Sequence, residues 1–555
     1  MTAYVLAENS GIVLGRLFPS LRAGTPVSGH PRISPQQALS YRENGGRLFA
    51  RDYWGTYVAM LRAPDGRRSW VIRDPSGHIP CYVTPYEHLN IFFADVEDLS
   101  ELGLPSFTVD WTEIAAFIRW ESTQSNRCGL KEVQELLAGE CWELGRGSTR
   151  LFALWDPVQI SEGRLREDRH EAMAELRETC ESCITAWSSA FTAILLSLSG
   201  GFDSAVVLGC LRGPARSRTV ICVNDLYSDP RSDERRYARI AARSAQVRLI
   251  ERTVDAQDHL LSDRLFGLPR TPKPALQYVA TALRADSSNE LSRKIKADSL
   301  WTGEGGDHLF FQFDTVLAAS DYIATHGIGR RLLRVIADTA TLTRKSFATV
   351  ARESWASRRR VRYLASEAER LAADHFLTPD RLSEGRSREL AAPQALERLP
   401  QGKQMQILYL RDVMNRHRPL LGVDSIPQLN PLLSQPIVEL CLQIPVYCLT
   451  QGGRRRGLAR DAFKAVVPQE IIARETKGSA GLFVMDILRG SHDFLHEHLL
   501  GGLLMQQGVL ARPAVEQILT HLDRLCIADC RPLLACLSAE MWARTWAMRG
   551  MRLAG

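Results

Sequence analysis

A chain of 555 residues exceeds one ordinary domain, so two or three are expected. With 45% hydrophobic and 24% charged residues it is excluded from the disordered and low-complexity classes, and a net charge of +6 demands no nucleic-acid partner. The N-terminus lacks a basic-then-apolar signal pattern, and no apolar run reaches the ~20 residues of a membrane span; a cytoplasmic protein without a transmembrane segment is expected.

Residues 1–160 read as a first, β-rich domain. Short apolar strands are predicted at Tyr57 to Leu61, in "RSWVIRD" and in "NIFFAD", separated by the turn signals Pro64-Asp65-Gly66 and Pro75-Ser76-Gly77. The polar stretch "ISEGRLREDRH" reads as the link to the second domain, residues 168–555. That domain opens on "EAMAELRETCESCITAW", where Met173, Leu176, Cys180, Cys183 and Trp187 recur at helical spacing. The pair Cys180 and Cys183, with Cys526, Cys530 and His521 far along the chain, has zinc-like spacing, but a helix face with buried thiols accounts for it. The twelve cysteines as a set are expected to be reduced.

Strand-helix alternation follows, with strands predicted in "AILLSL", "TVICVND", "QVRLIERTV" and "ADSLWTG". Such alternation implies a parallel sheet covered by helices. Beyond about residue 315 the pattern is almost wholly helical, and the run Arg358-Arg359-Arg360 reads as a solvated helix face.

Three segments carry chemistry. In "LLSLSGGFDSAVVL" a strand breaks on Ser199-Gly200-Gly201 and resumes as a helix. Free N–H groups and the helix dipole make such a corner receptive to anions, and glycines let the backbone close on a phosphate. Ser199 and Ser204 can donate to the same oxygens. Asp203 would repel a phosphate, so its natural role is to hold Mg²⁺ that bridges phosphates. The segment "LWTGEGGDHLF" is a second glycine-rich strand end, carrying Glu304 and Asp307, and two such ends can face each other across one ATP. In "ARETKGSAGLF", Lys477 can neutralise charge developing on phosphorus or on departing pyrophosphate.

Taken in order, "SLSGGFDSA", "GEGGDHLF", "PQLNPLLSQPIVELCLQIP" and "GLARDAFKAVVPQEIIARETKG" resemble the asparagine synthetase-like ATP pyrophosphatases over most of residues 168–490. The resemblance implies a Rossmann-like parallel-sheet domain with a large helical part. It also implies a reaction: ATP activates a carboxylate as an acyl-adenylate, pyrophosphate leaves, and an amine attacks to form an amide. It places Ser199, Gly200, Gly201, Asp203 and Ser204 on the pyrophosphate and metal, and Leu198, Val223, Thr302 and Gly303 around the nucleotide. Asp307 falls on Mg²⁺, Glu304 near the reacting carboxyl or amine, and Lys477 at the transition state. His308 stands where the family has a second acid, and Phe311 and Gln312 replace its usual glycines.

The N-terminal domain resembles, less specifically, the Ntn-type glutaminase domain of the same enzymes, through "WGTYVAMLRAPDGRRSWVIRDPSGHIPCYV". The family's nucleophile is a cysteine after the initiator Met; here it is Thr2, and Asn44-Gly45-Gly46 lacks the acid of the usual Asn-Gly-Glu. The domain is therefore expected to be an inactive remnant. An adenylating domain without an ammonia source resembles the lasso peptide cyclases and, more distantly, the β-lactam synthetases. Likeness to the cyclases implies a precursor core peptide as substrate, and a leader-binding protein and a leader peptidase as partners. Ammonia-dependent asparagine synthesis and a β-lactam synthetase-like ligation are the alternatives. An ATP pyrophosphatase acting on tRNA should show a strong basic patch or an RNA-binding module, and neither is evident.

Overall fold

The computed structural model describes the chain apart from residues 1, 22–30, 32, 101–106, 121–124, 146–147, 212–217, 228, 267–270, 277–278, 280–287, 358–372, 383–394, 417–425, 477, 479–480 and 550–555. The arginine run at 358–360 and Lys477 thus lie outside the described residues.

Strand propensity and short turns build the N-terminal part. Strands β1 (Ala3–Val5), β2 (Gly11–Pro19), β3 (Tyr53–Arg62) and β4 (Arg68–Arg73) join β8 (Glu140–Gly145) and β9 (Ser148–Ala153) in one antiparallel sheet, ordered β1-β2-β3-β4-β8-β9. A second sheet of β5 (Tyr82–Tyr86), β6 (Leu89–Phe93) and β7 (Gln134–Glu135) lies against it. Val58, Val71, Cys81, Val83, Leu136 and Trp142 fill the space between them. On the other face two helices, Pro35–Glu43 and Arg47–Asp52, cover a core that includes Tyr41, Phe49, Tyr57 and Trp70. Asn44-Gly45-Gly46 is the turn between those helices. Both glycines have φ near +70°, and the Asn44 side-chain oxygen accepts from the Leu48 N–H at 3.0 Å. Turn formation accounts for that tripeptide.

The second part is built on a five-stranded parallel sheet, β10 (Ala193–Ser197), β11 (Thr219–Tyr227), β12 (Arg248–Val254), β13 (Ser299–Trp301) and β14 (Gln428–Leu429), in the order β12-β11-β10-β13-β14. The chain steps outward from β10 to β12, then returns to the opposite side of β10 as β13. This reversal opens a crevice at the carboxyl ends of β10 and β13, where ligands of open α/β sheets bind. The helix Phe202–Cys210, buried along its whole length, follows β10, and the helix Arg169–Ser189 packs Ala172, Leu176, Cys180, Cys183, Ile184 and Trp187 inward. Helices dominate after β13, as expected, but the two-residue strand β14 within that region was not foreseen.

The expected link is more ordered than its polarity suggested. Residues Pro157–Glu162 are helical, and beyond them Glu167 accepts from Tyr447 at 2.7 Å. Two cores each draw on both parts of the chain. In one, Phe18 and Trp54 meet Trp187 edge-on; in the other, the helix Trp111–Trp120 packs with the C-terminal helix Ile527–Met548. Cys180 and Cys183 belong to the first core and Cys530 to the second. The fold class read from the sequence is the one found: β-rich first, then a parallel-sheet α/β part with a large helical share.

Candidate active site

Each side of the crevice is a strand end whose loop must turn sharply. After β10, Leu198 is fully buried and its N–H donates to the Val223 carbonyl at 2.8 Å. Gly200 has φ +78°, and a Cβ there would stand 2.7 Å from the Glu234 carbonyl oxygen, so only glycine fits without displacing backbone. Gly201 caps the helix Phe202–Cys210, Ser199 Oγ lies 3.2 Å from Ser204 Oγ, and the Gly201 N–H donates to Ser199 Oγ at 3.3 Å. Hydroxyls and helical N–H groups therefore converge where an anion is stabilised.

The second loop closes directly onto the first. A Cβ on Gly303 would stand 2.4 Å from the Ser204 nitrogen, and one on Gly306 would stand 2.5 Å from Asp203 Oδ1. Glycine at these two positions is what allows the loops to touch. Thr302 Oγ1 donates to Asn430 Oδ1 at 2.6 Å and accepts from the Glu304 N–H at 3.0 Å, which fixes this loop to the residue after β14. Glu304 is exposed at the rim of the crevice, and Asp307 lies in the short helix Gly306–Leu309. The ring of His308 stacks with Tyr409 and Phe313, at centroid distances of 5.5 and 5.9 Å.

Asp203 and Asp307 share one partner. Arg456 Nη2 lies 3.2 Å from Asp203 Oδ2 and also pairs with Asp307 Oδ1. Asp203 Oδ1 is buried with no hydrogen-bond partner among the described residues. An open, buried carboxylate oxygen beside a second carboxylate suits a divalent cation, and the adjacent helix start suits the phosphates that such a cation neutralises. The residues present therefore fit Mg²⁺ with a polyphosphate: Asp203 and Asp307 for the metal, Ser199 to Gly201 and Ser204 for the phosphates.

The structure adds residues that sequence reasoning missed. Arg474 donates to the Gly200 carbonyl at 3.1 Å and to Glu234 at 2.5 Å, and Glu234 also accepts from the Gly478 N–H at 2.8 Å. The residues flanking Lys477 are thereby tied to the phosphate loop. Arg460 donates to the carbonyls of Ile471, Ile472 and Arg474, bracing the approach to that segment. Burial first, and then the charge of Arg456, push its guanidinium down to about 10. Asn224 Nδ2 donates to the Leu198 carbonyl at 2.8 Å, leaving Asn224 Oδ1 buried and without a hydrogen-bond partner among the described residues. A run such as Arg454-Arg455-Arg456 signals solvent in a sequence, so nothing there singled out Arg456.

The asparagine synthase family profile matches residues 175–544, well over half of the chain. The chain belongs to the asparagine synthase family. Members of this family are ATP-dependent carbon-nitrogen ligases that generally use ATP with Mg²⁺, and the crevice between β10 and β13 is where the asparagine synthase-like domain of this chain has residues to hold both. No curated protein matches the chain. Among solved structures, the allosteric regulatory enzyme of purine biosynthesis is similar at 9% identity and a TM-score of 0.18, covering 46% of this chain and 62% of that one. Glutamine phosphoribosylpyrophosphate amidotransferase from B. subtilis, complexed with ADP and GMP, is similar at 9% identity and a TM-score of 0.18, covering 45% of this chain and 47% of that one. The chain thus spans less than two thirds of either.

No helix among the described residues is long and apolar enough to cross a membrane. Nor do they contain a group of three or more His, Cys, Asp or Glu side chains placed to hold a metal ion by themselves. Two carboxylates completed by phosphate oxygens and water are a usual ligand set for Mg²⁺.

Proposed function

We propose that this protein is an amide ligase that activates an Asp or Glu side-chain carboxylate of a precursor peptide and closes a macrolactam with the peptide's N-terminal amine, as in lasso peptide biosynthesis. One observation carries the reading: the two glycine-rich loops bring Asp203, Ser204, Gly303 and Asp307 into one crevice, in a chain whose second residue is threonine instead of the family's cysteine. Thr2 immediately precedes β1, at the edge of the antiparallel sheet. We take the N-terminal part to be a glutaminase-like remnant, so that the attacking amine comes from the substrate and not from glutamine.

ATP with Mg²⁺ supplies the activation of the carboxylate. The chain's own residues do the rest. Ser199, Gly200, Gly201 and Ser204 bind the pyrophosphate portion, and Asp203 and Asp307 hold the metal. Leu198, Val223, Thr302 and Gly303 surround the nucleotide. Lys477 offsets charge as pyrophosphate departs, and Glu304, exposed at the rim, lies near the reacting carboxyl or amine of the peptide. Once the leader is cut, amine and carboxylate belong to one molecule, and a site that folds the peptide gains high effective molarity over hydrolysis. A leader-binding protein and a leader peptidase are the expected partners.

Mass spectrometry tests this on leader-cleaved peptide incubated with the protein, ATP and Mg²⁺. The expected product is lighter by one water, with AMP formed alongside. Turnover on free aspartate and ammonium, with none on peptide, would instead establish asparagine synthesis; closure of a β-lactam on a small amino acid would establish the third reading.

A further inference from the structure

Arg456 reaches the two carboxylates from the turn that precedes the short helix Gly457–Ala462, and several independent features hold it there. Its side chain is 6% exposed and its Nη2 meets Asp203 at 3.2 Å, Asp307, and Gln312 Oε1 at 2.6 Å. Gln312 is one of the two residues standing where the family has glycine, and a glycine could not accept this bond. The other, Phe311, has φ +62°, and its carbonyl accepts from the Arg456 N–H at 3.2 Å; Arg456 itself has φ +56°. Two L residues in left-handed backbone, bonded to each other beside the metal carboxylates, form an arrangement that surrounding contacts must maintain. The Phe311–Gln312 departure thus becomes intelligible as the seat of Arg456.

The charges explain what the seat is for. Two carboxylates this close repel unless a cation lies between them. Mg²⁺ at the open Asp203 Oδ1 would also need an Asp307 oxygen at about 2.1 Å, and the guanidinium holds Asp307 Oδ1 and the second Asp203 oxygen, so the two cations compete for the carboxylate pair. We propose that Arg456, oriented by Gln312, is a displaceable counter-ion of the metal site: it holds Asp203 and Asp307 together when metal is absent and resists metal that arrives without nucleotide. The inference rests on the ATP–Mg²⁺ reading above. Metal carried in by a triphosphate has the extra helix-terminus and hydroxyl contacts needed to displace the guanidinium, whereas the bare ion does not. Arg456 is on this account a positioning residue, acting through the two carboxylates.

The test uses the full-length protein and Mn²⁺, followed by electron paramagnetic resonance with and without a non-hydrolysable ATP analogue. Wild type should bind Mn²⁺ alone weakly and Mn²⁺ with the analogue much more tightly. In Arg456→Gln, affinity for Mn²⁺ alone should rise about tenfold, a difference of about 1.4 kcal/mol. The melting temperature of the same variant in chelator should fall and be restored by Mg²⁺ more than in wild type. Gln312→Ala, which leaves the charge in place but unseats it, should give a smaller gain, about threefold, and serves alone should Arg456→Gln not fold. Unchanged or weaker Mn²⁺ binding in the variants, with binding of Mn²⁺ plus analogue intact, overturns the counter-ion proposal and leaves the ATP site standing. Failure of wild type itself to bind Mn²⁺ with the analogue overturns the ATP-site reading, and this proposal with it.

Discussion

Two charged turns, one in each part of the molecule, invite comparison: the Arg73–Asp74 corner of the antiparallel sheets and the Asp203–Asp307 crevice of the parallel sheet. Both are buried. At the first, the protein satisfies itself. Arg73 donates to the carbonyls of Ile79, Gly77 and Leu136 and to Glu135, at 2.5 to 2.8 Å, and Glu135 pairs with Lys273 at 2.7 Å. Asp74 accepts from the Tyr57 and Ser76 N–H groups, at 2.9 and 2.7 Å, and from the Ser76 hydroxyl. At the second, Asp203 Oδ1 has no partner among the described residues, and the Arg456 guanidinium is shared between the two carboxylates. Buried charge that closes on its own backbone is structural; buried charge with an open oxygen is set for a ligand.

The largest effect should come from the open side. Asp203→Asn removes the carboxylate charge proposed to hold Mg²⁺ and should reduce pyrophosphate release by on the order of 10³-fold, with circular dichroism unchanged; near-normal release would erase the distinction between the two turns. The closed side should answer through stability. Burial outweighs the hydrogen bonds at Asp74 and raises its carboxyl to about 6 from an ordinary 3.8. The folded state therefore holds this proton more tightly than the unfolded chain does. Its stabilising contribution is full below pH 3.8 and is lost as pH rises through about 6, a difference of roughly 3 kcal/mol. Denaturant titrations of wild type and Asp74→Asn should diverge by that amount between pH 4 and pH 7. Parallel curves would mean that Asp74 is not buried as a structural acid.

Lys477→Ala should lower turnover by on the order of 10²-fold while ATP affinity changes little, if the lysine acts as proposed on charge that develops during reaction. An effect confined to affinity would make Lys477 a ground-state phosphate ligand. The smallest expectation is no effect. Glutamine incubated with wild type or Thr2→Ala should yield glutamate only at background. Glutamate formed by wild type and lost in the variant would restore catalysis to the N-terminal part and remove its contrast with the crevice.

What the sequence determined by itself was local. The apolar runs of β3, β4, β6 and β10 to β13, the helical spacing from Met173 to Trp187, and the glycine corners at Gly200 and Gly303 are each written in a handful of neighbouring residues. Periodicity and turn chemistry are short-range, so they survive in a one-dimensional reading. The pair of carboxylates was legible for the same reason: each stands in its own glycine-rich turn. Tertiary structure decided the rest. Strand β14 has two residues, Gln428 and Leu429, between prolines, and it exists because β13 offers it a parallel edge. Arg456, Glu234, Arg474 and Asn430 have no local pattern of their own. They become site residues because the order β12-β11-β10-β13-β14 and the helices packed around it bring distant backbone to one crevice. Charge pairing depends on separation in space, and separation in space is what a sequence read along its length does not contain.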